Sequence, residues 1–260
     1  MRASLVIPTL DEAASIASVL RSFRAAAEEG NRTFFRDDPI DWEILVVDGA
    51  SKDGTAAIAA GEGARVIVER RRGYGRAYRT GFAEARGEVI ATADGDATYP
   101  VETVPALVRK LLDEQIDFLS GDRMAYVDRR SMTTEHRIGN WVLNAFLAIA
   151  YHRWVHELPG RTLADSQSGF WVFRRSVLDA VALTQDGMAL SEELKIEAIR
   201  RGLRFVEVPI RYGERAGPPK LQSYRDGLRN FWFLFQKRLA IQREEGPRGT
   251  STSEADGPTS

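Results

Sequence analysis

From residue 4 to residue 120 the chain alternates short apolar runs with longer amphipathic stretches, and this rhythm restricts the folds open to it. Residues 4–7, 43–47, 65–69, 89–93 and 118–120 have the length and β-branched content of strands. Residues 12–27, a segment opening at 55–60, and residues 75–85 and 101–113 read as helices between them. Strand and helix in strict alternation predict an α/β fold, with a mostly parallel sheet and helices on both faces. Residues 28–41 are polar and contain Gly, Asn, Asp and Pro, so they are expected to form an exposed loop. With 260 residues, one large domain can bury a substantial core.

The second half has a different texture. Residues 137–155 predict a helix that is apolar on most sides, with Trp141 and Trp154 near its ends and Asn140, Asn144, His152 and Arg153 interrupting it. Residues 170–173 read as a strand, 191–201 as a helix, and 204–208 as a strand stopped by Pro209. Residues 224–241 form a last expected helix carrying the aromatic block Phe231, Trp232, Phe233 and Phe235. The Gly, Ser, Thr, Glu and Pro content beyond that predicts a disordered polar tail over 243–260, leaving 1–242 as the folded domain.

One strand end carries chemistry. The run at 89–93 is apolar and stops at Asp94-Gly95-Asp96, where the chain must turn. Ligands of open α/β sheets sit just beyond the carboxyl ends of the strands. Two acids there can hold a hard divalent cation that bridges to phosphate oxygens. The same residues also fit a plain Asp-Gly turn with solvated acids. Composition narrows the rest. The absence of cysteine excludes disulfides, thiolate metal sites and cysteine nucleophiles, and it fits a reducing compartment. A net charge of −1 gives no general attraction to nucleic acid. The N-terminus runs straight into a strand without a signal-peptide core. No apolar run reaches the roughly 18–20 residues of a membrane-spanning helix.

Four segments in order form a larger pattern: Val6 to Glu12 (VIPTLDE), Val46 to Thr55 (VVDGASKDGT), Arg72 to Ala77 with Gly81, and Asp94 to Asp96. Together they resemble the family 2 glycosyltransferases of GT-A fold, a Rossmann-like α/β architecture. Ser120 to Arg123, Asp165 to Phe170 and Glu207 to Ile210 narrow the resemblance to the dolichyl-phosphate mannose or glucose synthases. The resemblance implies that Pro8, Leu10 and Glu12 line the nucleobase pocket and that Asp48 contacts base or ribose. It implies that Asp94, Gly95 and Asp96 form a DXD motif, with Asp96 on an Mg or Mn ion and Asp94 on the ribose or the same metal. Arg123 would reach the sugar or diphosphate, and Arg215 and Lys220 would clamp the leaving diphosphate. Two departures stand out: Gly49 replaces a second acid after strand two, and Pro219 precedes Lys220 where relatives carry serine.

The expected reaction moves a hexose from a GDP- or UDP-sugar to a polyprenyl (dolichyl) phosphate, inverting the anomeric carbon. A hydroxyl acceptor benefits from a general base, whereas a phosphate acceptor is already an anion and needs orientation more than deprotonation. Asp165 and Glu193 are the candidate catalytic carboxylates beside Asp96 and Arg123, and Arg129, Arg130 and Arg137 are candidate contacts for an acceptor phosphate. The C-terminal helices fit two settings, a membrane interface at the cytoplasmic face or protein packing. A soluble hydroxyl acceptor and a non-catalytic nucleotide-binding protein remain alternative readings, and the sequence leaves oligomeric state open. Asp53-Gly54-Thr55 reads as a turn opening a helix, and the three histidines are too few and too badly spaced to suggest a metal site.

Overall fold

The structure is a computed structural model that describes residues 1–126, 134–155, 163–214 and 223–245. Strands β1 (Arg2–Thr9), β2 (Asp41–Asp48), β3 (Arg65–Val68), β4 (Val89–Thr92), β5 (Phe118–Asp122), β6 (Trp171–Arg174) and β7 (Phe205–Pro209) form one sheet in the order β3-β2-β1-β4-β6-β5-β7. β1 to β4 run parallel, β6 is antiparallel to both β4 and β5, and β7 is parallel to β5. The order reverses direction between β1 and β4. That is the topological switch point, where a crevice opens beyond the strand ends.

Alternation along the central strands divides the core in two. Ala3, Leu5 and Ile7 face one layer with α1 (Ile16–Thr33), α2 (Thr55–Gly61) and α4 (Val104–Asp113). Val6, Leu45 and Val47 face the other, with α3 (Tyr74–Glu84), α5 (Thr134–Ala150), α6 (His152–Val155), α7 (Ser176–Ala180), α8 (Leu190–Arg200) and α9 (Ser223–Glu245). Buried on both faces, these strands lack the polar alternation of a half-exposed sheet.

Two expectations change. Helix α1 continues to Thr33 and takes up the first part of the expected loop, because Ala27 and Gly30 keep its inner face buried while Glu29 and Arg32 pair on its outer face. Its start also moves, from residue 12 to Ile16. Helix α9 runs on to Glu245.

The C-terminal helices both pack and expose apolar surface. Leu143, Leu147, Tyr151 and Val155 recur every four residues as a buried stripe. The Tyr151 hydroxyl donates to the Leu234 carbonyl at 2.8 Å, and Arg238 Nε donates to the Ala150 carbonyl at 2.6 Å. Phe146 meets Phe231 with ring centres 4.8 Å apart. Trp141 (71% exposed), Ile149 (81%) and Trp232 (58%) stay outside. Among the described residues no helix is long and apolar enough to cross a membrane.

Candidate active site

The carboxyl ends of β1 and β2 are tied together by side chains, most of them reaching backbone amides. Asp48, buried at the end of β2, accepts from Ser51 N at 2.9 Å and Ser51 Oγ at 2.5 Å, and from Thr9 Oγ1 at 3.2 Å. Ser51 Oγ accepts in turn from Asp11 N at 2.8 Å, and Asp11 Oδ1 accepts from Lys52 N at 2.7 Å. Asp53 accepts from Ala13 N at 2.9 Å and from Thr55 N at 3.0 Å, while Thr55 Oγ1 accepts from Glu12 N at 2.8 Å. Asp53 and Thr55 thus close a turn, as the sequence suggests, and also splice the loops after β1 and β2. Pro8 is buried in β1 opposite Val47, Glu12 is buried, and Leu10 is 48% exposed at the rim.

Of the four described non-glycine residues with positive φ, three lie on this edge and the fourth, Gln115, precedes β5. Asp11, Ala50 and Ala97 have φ of 51°, 60° and 64°, which is left-handed geometry that residues with a Cβ adopt only when the surroundings force it. Each lies in the loop that follows β1, β2 or β4. The crevice is therefore built from backbone held under constraint, a usual mark of a functional edge.

The acid pair sits in the middle. Ser15 Oγ donates to the Gly95 carbonyl at 2.7 Å, and a Cβ on Gly95 would lie 2.8 Å from Thr9 Cγ2. Only glycine lets this turn press against the ends of β1 and α1. Asp96 is 3% exposed, and its Oδ1 accepts from Thr98 N at 3.1 Å and Thr98 Oγ1 at 2.6 Å. Asp94 is half-buried and accepts from the Tyr74 hydroxyl at 3.0 Å and, more weakly, from the Tyr78 hydroxyl at 3.4 Å. Both acids offer hard oxygen ligands. No group of three or more metal-ligating side chains occurs among the described residues. A divalent ion here would take one or two carboxylates and complete its shell with ligand oxygens, the donor set that suits Mg or Mn.

Beside the pair, loop 164–169 is gripped from every side. Glu207 on β7 accepts from Ala164 N at 2.6 Å and Asp165 N at 3.1 Å. Asn144 donates to the Ala164 carbonyl at 2.6 Å and accepts from Ser166 N at 3.3 Å, which explains one polar interruption of an apolar helix. Lys195 Nζ, fully buried, donates to the Asp165 carbonyl. Arg123 and Asp165 form a two-point ion pair at 2.6 Å and 2.8 Å, with Asp165 fully buried. Burial alone would raise the Asp165 carboxyl, but the Arg123 guanidinium overrides it and holds the group below its ordinary range. The guanidinium also lies 5.2 Å from the Tyr212 ring centre, and Gly213 N donates to the Thr98 carbonyl at 2.8 Å. Segment 210–213 is thereby laid on the turn that carries Asp96.

The structure thus gathers Pro8, Leu10, Glu12, Asp48, Asp94, Gly95 and Asp96 on one edge, with Arg123 and Asp165 joined to each other. Glu193 is placed differently. It is fully buried in α8 and accepts from Thr184 N at 2.8 Å, Thr184 Oγ1 at 2.6 Å and Gln185 N at 2.9 Å, so it clamps a loop. Arg215, Lys220, Arg129, Arg130 and the side chain of Arg137 lie outside the described residues. Sequence reasoning missed Tyr74, Tyr78, Tyr99, Asn144 and Lys195. Only the i, i+4 spacing of the two α3 tyrosines and the polar breaks in apolar helices hinted at them.

The buried charges behind the loop set a pH response. Burial raises the Glu192 carboxyl to about 8 and lowers the Lys195 ammonium to about 8. Glu192 binds its proton more tightly folded than unfolded, so stability falls as pH rises from its ordinary 4.5 toward 8. Burial pushes Glu207 and Asp122 up as well, which adds to the same trend. Lys195 has the opposite sign, and its contribution recovers between about 8 and 10.5. Thermal melts across this range should show lowest stability near pH 8, and Glu192→Gln should flatten the descending limb. An unchanged limb in that variant would contradict the assignment.

Placed beside known proteins, this fold and edge are those of a glycosyltransferase. Residues 4–182 match the family Glycosyl transferase family 2, and the chain belongs to that family. It is similar to "Low-salt glycan biosynthesis hexosyltransferase Agl6" of Haloferax volcanii, 34% identical over 89% of this chain, and it spans 52% of that relative's length. It is also 37% identical, over 71% of this chain and 76% of the relative, to a "Dolichyl-phosphate hexose transferase" of the same organism. Among solved structures it matches glucosyl-3-phosphoglycerate synthase from Mycobacterium tuberculosis, crystallised with Mn2+ and UDP. The TM-score is 0.68 with 24% identity, covering 93% of this chain and 81% of that one. The likeness is one of fold and confirms the GT-A architecture.

Proposed function

We propose that this chain transfers a hexose from a nucleotide diphosphate sugar to a polyprenyl phosphate, with inversion. An acceptor phosphate oxygen attacks the anomeric carbon as the bond to the diphosphate breaks, and the diphosphate leaves with the electron pair. A divalent ion held by Asp96, with Asp94 beside it, would neutralise the charge gathering on that leaving group. Pro8, Leu10 and Glu12 form the wall on which the nucleobase rests, and Asp48 shapes it through Ser51.

One observation carries the choice of acceptor. Asp165 and Glu193, the two carboxylates offered as bases, each have both oxygens occupied by donors. Neither is set to take a proton from a hydroxyl, and a phosphate acceptor needs no base. The named activity of the 37% identical relative supports the same reading. The exposed Trp141, Ile149 and Trp232 on α5 and α9 suit a membrane interface, where such a lipid resides.

The test is direct. The protein is incubated with labelled GDP- and UDP-sugars, Mn2+ and a polyprenyl phosphate, and the lipid is then extracted. Label should enter the lipid fraction and should disappear when the cation is chelated. Transfer to a soluble hydroxyl compound with none to lipid would overturn the acceptor assignment.

A further inference from the structure

We propose that Tyr74 and Tyr78 are positioning residues that lock the Asp94 carboxylate to the backbone of Gly169, coupling the donor edge to loop 164–169. The proposal rests on the reading of Asp94 as part of a nucleotide-sugar site. The two tyrosines stand one turn apart on α3, ring centres 4.9 Å apart and edge to face. Tyr78 is fully buried, stacked on Phe82 and packed against Trp171 with centroids 5.5 Å and 5.1 Å away. Each phenol carries one O–H donor at neutral pH.

Gly169 is the other end of the device. Its N–H donates to the Tyr99 hydroxyl at 2.9 Å, and its carbonyl accepts from Thr92 Oγ1 at 2.8 Å and from the Tyr78 hydroxyl at 3.3 Å. A Cβ at this position would lie 2.2 Å from the Tyr74 hydroxyl oxygen. The missing side chain is what lets Tyr74 reach Asp94. The Gly169 carbonyl therefore anchors Tyr78, the bare Gly169 Cα leaves room for Tyr74, and the two phenols meet the acid.

The two hydroxyls are unequal. Tyr74 donates to Asp94 at 3.0 Å, the shorter of the two phenol contacts with that carboxylate. Tyr78 has a single proton placed between Asp94 at 3.4 Å and the Gly169 carbonyl at 3.3 Å. Tyr74 accordingly carries the larger share of the effect.

Tyr74→Phe, Tyr78→Phe and the double variant remove the hydroxyls while keeping the rings. Binding of Mn2+ with UDP and with GDP is followed by titration calorimetry, alongside melting temperature and the split between KM and kcat. Tyr74→Phe should weaken nucleotide binding about tenfold and Tyr78→Phe about threefold, with melting temperatures nearly unchanged. Gly169→Ala should reproduce the loss in Tyr74→Phe. A double variant that binds within twofold of the parent, or that loses melting temperature with unchanged binding, overturns the positioning role alone. A parent that binds neither nucleotide with Mn2+ overturns both this role and the proposed function.

Discussion

Asp96→Asn should lower kcat/KM for hexose transfer by roughly 10³ or more, equal to about 4 kcal/mol of lost leaving-group stabilisation. It should do so without unfolding the chain. Asp96 Oδ1 accepts from Thr98 N and Oγ1 within its own turn, and an asparagine keeps that oxygen. What it loses is the charge that would meet a cation. Melting temperature should stay within a few degrees of the parent, and steady-state kinetics at saturating Mn2+ would read the difference. Retention of more than a tenth of parental activity would remove Asp96 from the metal-binding role.

Arg123→Met should give the largest stability loss. Asp165 is fully buried and Arg123 is 11% exposed, so removing Arg123 leaves a carboxylate enclosed and uncompensated at a cost of about 3–5 kcal/mol. For a chain of this size that is a fall of about 10 °C in melting temperature. The fate of Asp165 decides whether the charge itself is responsible. In an Arg123→Met, Asp165→Leu double variant the orphaned charge is gone, so the loss should be well below the sum of the single losses. Urea denaturation of the four proteins closes the cycle. Additive losses would mean the two side chains act separately, against the geometry of the pair.

The sheet was legible because its central strands are buried on both faces and read as continuous apolar runs. The end of α1 was not, since Glu28 to Thr33 are polar in sequence and become helix only by lying over a buried Ala27 and Gly30. Helix α7 has five residues, too short to show a period. Asp94 and Asp96 stood out because two acids closing a buried strand are chemically conspicuous. Their supports did not. Arg123 and Asp165 are 42 residues apart, and Gly169 reaches Tyr78 over 91, because antiparallel β6 returns beside β4. Sequence gave no register for that return. It also offers Glu193 as a candidate base, where the structure has a fully buried clamp on Thr184 and Gln185. The glycines at 73 and 75 lack the third glycine of a dinucleotide-binding fingerprint, since position 78 holds Tyr. They instead admit the backbone of residues 185–187, whose carbonyls a Cβ at either position would strike.

On the proposed function, the carboxylates closing β4 hold a cation against a departing diphosphate. A crystal structure with Mn2+ and an intact or hydrolysed nucleotide sugar tests it most directly. The ion should sit on Asp96, with diphosphate oxygens completing its shell and Asp94 in contact with the ion or the ribose. Nucleotide bound elsewhere, or bound here with both carboxylates turned away from it, would take the acid pair out of the reaction.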